Sequence, residues 1–458
     1  MTNTFVGLQI GAISFIDEGV PETLDRVQEL AGVNSLMISA LSWSRGNAGR
    51  STTGFPDHGV PEPDNLRGGA FFPPDPRYYH ATPIKNFTAP DPLYRGFDAL
   101  GDVIPEARKR GMKVYPYYCE TAHSTIRALW QPGYATVLEV DADGKVGSRP
   151  CQRNPDYRSW WMGVIDNWFN EYDLDGILWG IERQGPMQSL LEGDVATCFC
   201  RFCKDEAHRR GIDAERAAEG YRKIAEFLRT SAAGERPRDG YLLTFMRINA
   251  RYPEIAQWEN LWYQAHVSMH RMVHSQVKYY SAELEVGLGV WQMIDTFNPW
   301  LRAAYDPADL RAYADWLKPV LYNVPAGFRF AAYLERLCNT VLRDATAEEW
   351  APLLYRILGL DEAPFKELAE AGFSPAYVKT QTARYVDAVG PDVKIYPGIG
   401  VGVEAGERVV APEDIEPMVG AAFDGGADGV MISRNYSELT LANLGAVGSA
   451  LRGLGRIG

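Results

Sequence analysis

A single carboxylate ends an apolar run in the segment Leu174–Gln184, which reads Leu-Asp-Gly-Ile-Leu-Trp-Gly-Ile-Glu-Arg-Gln. The carboxylate is Glu182, and Trp179 lies three residues before it. A carboxyl group beside an aromatic ring in a partly desolvated pocket has a raised pKa and can donate a proton near neutral pH. We therefore predict that Glu182 is a general acid. The alternative is that Glu182 only pairs with Arg183 or another arginine.

Three cysteines, Cys198, Cys200 and Cys203, lie close together in a second segment. Thiolates at this spacing can converge on one ion, and structural zinc takes four ligands in a tetrahedron. Cys151 is the natural fourth ligand and Cys119 is the rival, while the alternative to a metal site is a group of buried thiols. A site closed by four thiolates would be structural, because it leaves no coordination position for water.

Glycoside cleavage by two carboxylates needs a partner for Glu182, about 5 Å away in retaining enzymes and about 6.5–9.5 Å away in inverting ones. Glu404 follows a glycine-rich apolar run and is the first candidate, although it could be a solvated loop residue. Glu120 is the substitute. His123 could act as an acid or base, bind a sugar hydroxyl, or make a structural hydrogen bond.

These residues follow predicted strands that alternate with helical segments. Several of the strands are short apolar runs without strict alternation, as expected for parallel strands covered on both faces. We predict an α/β fold, a (β/α)8 TIM barrel, because eight strands alternate with helices. An open doubly wound sheet is the rival fold, but no glycine-rich dinucleotide fingerprint follows the first strand. The eight predicted strands are Phe5 to Ile13, Ser35 to Leu41, Lys113 to Tyr118, Gly176 to Ile181, Glu285 to Gln292, Pro319 to Asn323, Val393 to Val401 and Gly429 to Ser433.

One barrel accounts for the whole chain, residues 1–458, if the extra length lies in loops. We predict insertions at 44–92 after strand two and at 184–282 after strand four, the second carrying the cysteine cluster. Barrel active sites form at the carboxyl ends of strands, so aromatic and polar residues there are candidates for binding substrate. These are Trp43, Arg45, Tyr117, Trp179, Arg183, Trp291, Asn323 and Arg434.

Composition narrows the choice of partners. The formal net charge of −13 opposes binding to nucleic acid or to an anionic membrane surface. No secretory signal and no apolar stretch of about 20 residues is visible, so we expect a cytoplasmic protein. Six cysteines in 458 residues are too few for a disulfide scaffold. The expected partner is a small carbohydrate, and the sequence is compatible with a homo-oligomer.

Three segments together resemble the family 42 β-galactosidases, barrel glycosidases of clan A. They begin at Pro150, Asp175 and Cys198, and read Pro-Cys-Gln-Arg-Asn-Pro, Asp-Gly-Ile-Leu-Trp-Gly-Ile-Glu and Cys-Phe-Cys-Arg-Phe-Cys. The resemblance implies that Glu182 is the acid/base residue. It also implies zinc bound by four ligands, which are Cys151, Cys198, Cys200 and Cys203. One position departs from the family pattern, because Ile181 stands where clan A enzymes carry asparagine.

The sequence thus predicts a glycoside hydrolase with no catalytic cofactor and a structural zinc ion. Glu182 would be the acid/base residue, and Glu404 or Glu120 would be the second carboxylate. Two alternatives remain open. One is a sugar or sugar-acid lyase or isomerase that uses Glu120 and His123, with a divalent metal. The other is a carbohydrate-binding barrel without catalytic activity.

Overall fold

The structure, a computed structural model, describes residues 4–42, 57–60, 68–121, 131–291, 297–402 and 408–458, with the backbone alone described at 119–121 and 300. In this part of the chain the main element is a sheet of nine parallel strands, in the order β7-β6-β5-β4-β3-β2-β1-β9-β8. The strands are β1 Phe5–Gly11, β2 Ser35–Ser39, β3 Lys113–Thr121, β4 Gly176–Glu182, β5 Glu285–Val290, β6 Trp316–Pro319, β7 Lys394–Ile395, β8 Gly398–Gly400 and β9 Gly429–Asn435.

The two edges of this sheet are neighbours on the chain. Only Tyr396 and Pro397 separate β7 from β8. The Tyr396 amide donates to the Leu317 carbonyl on one side (2.9 Å), and the Met431 amide donates to the Pro397 carbonyl on the other (2.9 Å). The sheet therefore curls until its edges meet. The alternation of parallel strands and helices predicted from the sequence is confirmed in this form.

All eight predicted strands overlap observed ones, but some bounds were wrong. The sixth strand lies earlier than predicted, at Trp316–Pro319, and Asn323 begins a helix instead. The buried Lys318 interrupts the apolar run that marked the strand. The predicted seventh strand is divided between β7 and β8. The first strand ends at Gly11, where a helix begins.

Helices connect the strands and cover the outside of the sheet. Their ends carry expected signals: Asn154 accepts a hydrogen bond from the Asp156 amide and Pro155 opens the helix before β4. The helices are Ala12–Glu18, Val20–Ala31, Ile104–Lys109, Pro155–Glu171, Pro186–Leu191, Arg201–Arg209, Ala214–Ala232, Tyr241–Arg251, Glu254–Tyr280, Pro299–Ala304, Asn323–Cys338, Ala347–Leu358, Phe365–Ala371, Pro375–Val389, Pro412–Asp424 and Leu441–Gly453. None of these is long and apolar enough to span a membrane, within the residues that the structure describes.

The inner face of the curled sheet carries its own hydrophobic cluster. Aromatic rings dominate it; Phe5 stacks on Tyr396 with ring centroids 3.9 Å apart, and Trp316 packs beside both. The members are Phe5, Met37, Tyr115, Leu178, Trp316 and Met431. We call this cluster the aromatic floor. Since side chains alternate along a strand, every second residue that follows a floor residue also faces inward.

Two antiparallel hairpins lie outside the main sheet. Leu41–Ser42 pairs with Gly69–Ala70, and Leu138–Val140 pairs with Val146–Pro150. The second hairpin borders a separate hydrophobic cluster that contains Cys151, Cys198 and Cys203 together with buried side chains of the helices from Pro186 to Leu261. The cysteine cluster is thus embedded in packed structure next to β4.

Candidate active site

Glu182 is the last residue of β4 and is half-buried. Leu178, on the same strand, belongs to the aromatic floor, so the alternation of side chains places Leu178, Gly180 and Glu182 on the inner face. The strand lies between β3 and β5, and Glu182 pairs with Thr121 of β3. The carboxyl group is therefore carried on the inside of the curl, at the carboxyl end of the sheet.

Glycines leave space on the inner face near Glu182. Gly180 and Gly289 are direct partners across β4 and β5. A Cβ atom added to Gly289 would meet nothing nearer than the Gly180 Cα at 3.5 Å among the described residues. A Cβ atom on Gly398 or Gly400 of β8 would instead lie 2.8 Å from Lys318 Cε or 2.9 Å from Tyr322 Cβ, so those two glycines allow close packing. Glycine within strands often marks a place where a ligand or backbone approaches closely, and Gly289 leaves room above the aromatic floor.

A polar group lies on the inner face two residues beyond the aromatic floor, level with Gly289, because Lys318 and Gly289 are partners across β6 and β5. Lys318 Nζ donates to Gln9 Oε1 at 2.6 Å, and Ser433 Oγ donates to the same oxygen at 3.0 Å. All three side chains are buried and come from β6, β1 and β9. None of the three residues was predicted from the sequence. The available signal was a lysine in the middle of an apolar strand, because lysine is rarely buried unless it has a polar or charged partner.

Three residues predicted to bind substrate lie at the carboxyl end of the sheet. Tyr117 is half-buried on the inner face of β3, two residues after the floor residue Tyr115. Trp291 directly follows β5 and is half-buried. Arg434 lies in β9, with its Nε 3.7 Å from a Glu438 carboxylate oxygen. These three stay candidates.

Three other predictions of this kind do not agree with the structure. Trp179 faces outward and is fully buried against Trp161 of the covering helix, with ring centroids 4.2 Å apart, so it cannot stack on a sugar inside the curl. Asn323 is buried in a helix and donates to the Phe373 carbonyl. Arg183 is 2% exposed, and its guanidinium is directed to the hairpin before β4. Each is engaged in packing away from the inner face.

Several candidates lie outside the described residues. These are Trp43, Arg45, His123 and Glu404, and the side chain of Glu120. The backbone of Glu120 belongs to β3, one position before the partner of Glu182. The second carboxylate of the predicted pair therefore stays a prediction.

The four predicted metal ligands come together. The Sγ atoms of Cys151, Cys198, Cys200 and Cys203 all lie within 4.8 Å of one another, and Cys151 is 3.5 Å from Cys200 and 3.7 Å from Cys203. A zinc–sulfur bond of about 2.3 Å in a tetrahedron separates sulfurs by about 3.8 Å, so the arrangement fits a four-thiolate ion. The side chain of the rival ligand Cys119 is outside the described residues.

The electrostatics of this cluster also favour a cation. Hydrogen bonds from the Cys151 thiol and then from Cys198 and Cys203 lower the pKa of Cys200, so this residue loses a proton readily. The pKa values of Cys198 and Cys203 are raised, chiefly by their hydrogen bonds with Cys151. A second thiolate would be repelled by the first, and a bound divalent cation removes that repulsion.

Solved structures of glycosidases share the fold at low sequence identity. The glycoside hydrolase domain of PgaB (BpsB) from Bordetella bronchiseptica is 11% identical over 98% of both chains, with a TM-score of 0.51. A β-galactosidase from Marinomonas ef1 is 10% identical over 98% of this chain, with a TM-score of 0.53. A β-galactosidase from Halorubrum lacusprofundi is 13% identical over 97% of this chain, with a TM-score of 0.53.

The chain spans 98% of the PgaB domain, but only 60% and 57% of the two β-galactosidase chains. No family profile matches the sequence, and no curated protein matches it significantly. At these identities the likeness shows the fold alone.

Proposed function

We propose that this protein is a glycoside hydrolase built on a closed (β/α)8 barrel, with Glu182 as its general acid/base residue. The observation that carries the proposal is the inward placement of Glu182 at the carboxyl end of β4, near Gly289, where an added Cβ atom would meet only ordinary contacts among the described residues. The carboxyl ends of the strands are where barrel enzymes build their active sites. The glycosidase-like fold supports the choice of reaction.

In the proposed mechanism Glu182 protonates the oxygen of the leaving group as the glycosidic bond breaks. Glu404 or Glu120 is the second carboxylate, acting as nucleophile or as base for water. Tyr117 and Trp291 would contact the apolar faces of the sugar, as aromatic rings do at sugar sites. Lys318, Gln9 and Ser433 would supply polar atoms beside the bound ring, where they can position hydroxyl groups.

The proposed substrate is a small glycoside or oligosaccharide. The single barrel would span residues 1–458, with insertions at 44–92 and 184–282. A zinc ion held by Cys151, Cys198, Cys200 and Cys203 would brace the second insertion and take no part in bond cleavage, because four thiolates close its coordination sphere.

Turnover of aryl glycosides by Glu182→Gln tests the proposal. Loss of general acid catalysis typically costs about 10²–10⁴ in rate, so kcat/KM should fall by that factor for a poor leaving group such as methylphenol. It should fall much less for dinitrophenol, which leaves without protonation. Glu283→Gln is the control, because Glu283 is an exposed glutamate next to β5 and outside the site. Full activity of Glu182→Gln on every glycoside would exclude the mechanism.

A further inference from the structure

We infer that Arg183 is a positioning residue that fastens the end of β4, and with it Glu182, to both chain segments of the four-cysteine cluster. The role of Glu182 in this inference rests on the proposed function, whereas the connection itself rests on described contacts. Arg183 directly follows Glu182 and its side chain is 2% exposed. It was predicted to bind substrate, but its burial directs it to the protein interior instead.

The first connection runs to Cys151. Both terminal nitrogens of Arg183 donate to the Pro150 carbonyl, each at 2.9 Å. Pro150 is bonded to Cys151, whose amide donates to the Val137 carbonyl at 2.7 Å. One guanidinium therefore holds the residue before a cluster cysteine, and Val137, the residue before the hairpin, holds the amide of that cysteine.

The second connection runs to Cys198 through a buried ion pair. Arg183 Nη2 lies 2.8 Å from Glu139 Oε1, and both side chains are almost fully buried. The other oxygen of Glu139 accepts a hydrogen bond from Thr197 Oγ1 at 2.8 Å, and Thr197 precedes Cys198. The Phe199 amide donates to the Val140 carbonyl at 2.7 Å, so the hairpin also holds the residue after Cys198.

These contacts form a continuous path of buried, charge-assisted bonds from the cysteine cluster to the residue after Glu182. Removing Arg183 would leave Glu139 with a more distant partner, because Arg149 Nε lies 3.6 Å from the other Glu139 oxygen. The loss of the nearer partner of a buried carboxylate is destabilising. The segment beyond Arg183 has a separate anchor, because the Met187 amide donates to Glu259 at 2.7 Å. Arg183 is thus the described link between the cluster and the strand end itself, and the geometry of the cluster sets the position of Glu182.

Hydrogen exchange of the full chain tests this inference without measuring activity. We expect Arg183→Met to accelerate amide exchange by about tenfold or more at residues 178–184, and also at 137–151 and 197–203, with no change in the distant helix Pro412–Asp424. Arg343→Met is the control. Arg343 is also a partly buried arginine that donates to backbone carbonyls, but its acceptors are Ser231 and Ala232 at the end of another helix, and neither belongs to a cluster segment.

If the cysteine cluster positions the end of β4, a change at the end of β4 must in turn affect the cluster. Arg183→Met should therefore release metal to a chelator about tenfold faster than Arg343→Met. Its kcat should also fall about tenfold with little change in KM, because an ill-placed acid impairs the chemical step more than binding. If Arg183→Met does not fold, Arg183→Lys keeps the charge with fewer donors and should show the same local exchange to a smaller extent.

Exchange at 178–184 within twofold of the Arg343→Met control, in a folded Arg183 variant, would overturn the inference. The outcome is separable from that of the proposed function. Activity retained by Glu182→Gln would remove the catalytic role of Glu182 while leaving the exchange result intact. Conversely, loss of activity in Glu182→Gln with unchanged exchange in the Arg183 variants would retain the mechanism and remove the connection.

Discussion

Replacing each of two glycines on the inner face of β5 by alanine should change the stability of the fold in opposite directions. A Cβ atom on Gly289 would lie 3.5 Å from its nearest described neighbour, which is ordinary contact. A Cβ atom on Gly287 would lie 2.1 Å from the buried Trp316 ring, so the aromatic floor would have to move. The two positions share one strand and one face, and they differ in what occupies the space in front of them.

The magnitudes follow from these distances. Gly289→Ala removes backbone freedom from the unfolded chain and should stabilise the fold by about 0.5–1 kcal/mol. Gly287→Ala overpacks the floor and should destabilise it by about 1–3 kcal/mol. Because the Gly289 methyl group enters the proposed sugar site, kcat/KM for that variant should nevertheless fall about tenfold, or about 1.4 kcal/mol of transition-state binding.

Urea unfolding and aryl glycoside turnover of both variants supply the measurements. The expected combination for Gly289→Ala is a more stable protein with lower activity, which a general packing defect cannot produce. Gly289→Ala with unchanged activity, while Glu182→Gln is inactive, would show that the substrate does not occupy the space between β4 and β5.

Further predictions concern the side chains around the site. Trp179→Leu should destabilise the protein by about 2–4 kcal/mol, because it opens a cavity on the outer face, yet leave KM unchanged; altered KM would place Trp179 in the site after all. Cys200→Ser should lower both the zinc content and the melting temperature, and an unchanged metal content would exclude Cys200 as a ligand. Burial raises the pKa of Glu259 to about 7, so the folded state binds this proton more tightly than the unfolded chain does. Stability should therefore fall on the order of 3 kcal/mol as the pH rises from about 4.5 to 7, and in Glu259→Gln that part of the slope should vanish in pH-dependent unfolding.

The sequence predicted the strands well because parallel strands covered on both faces are short apolar runs. The predicted bounds of β6 were wrong, because the charged Lys318 made Trp316–Pro319 look less like a buried strand than the apolar residues after it. The inward direction of Glu182 was predictable from alternation once the strand was known. The same alternation turns Trp179 outward, which the bare spacing of the two residues already implied.

The convergence of the four cysteines was the most predictable contact near the site, because three of these residues are close in sequence and thiols are chemically distinctive. Arg183 was misread for the opposite reason. A charged residue at a strand end is equally compatible with substrate and with a buried partner, and its partners Glu139 and Pro150 come from a hairpin that the sequence did not place. Long-range partners of this kind are set by tertiary packing rather than by local pattern.

The central claim is that Glu182 points into a sugar site on the inner face of the curled sheet. A crystal structure with a bound monosaccharide or unreactive aryl glycoside tests it most directly. The account predicts a Glu182 carboxylate oxygen about 2.6–3.2 Å from the glycosidic oxygen, with the sugar ring above Gly180 and Gly289. A sugar bound elsewhere, with the Glu182 carboxylate out of hydrogen-bonding reach of it, would contradict the account.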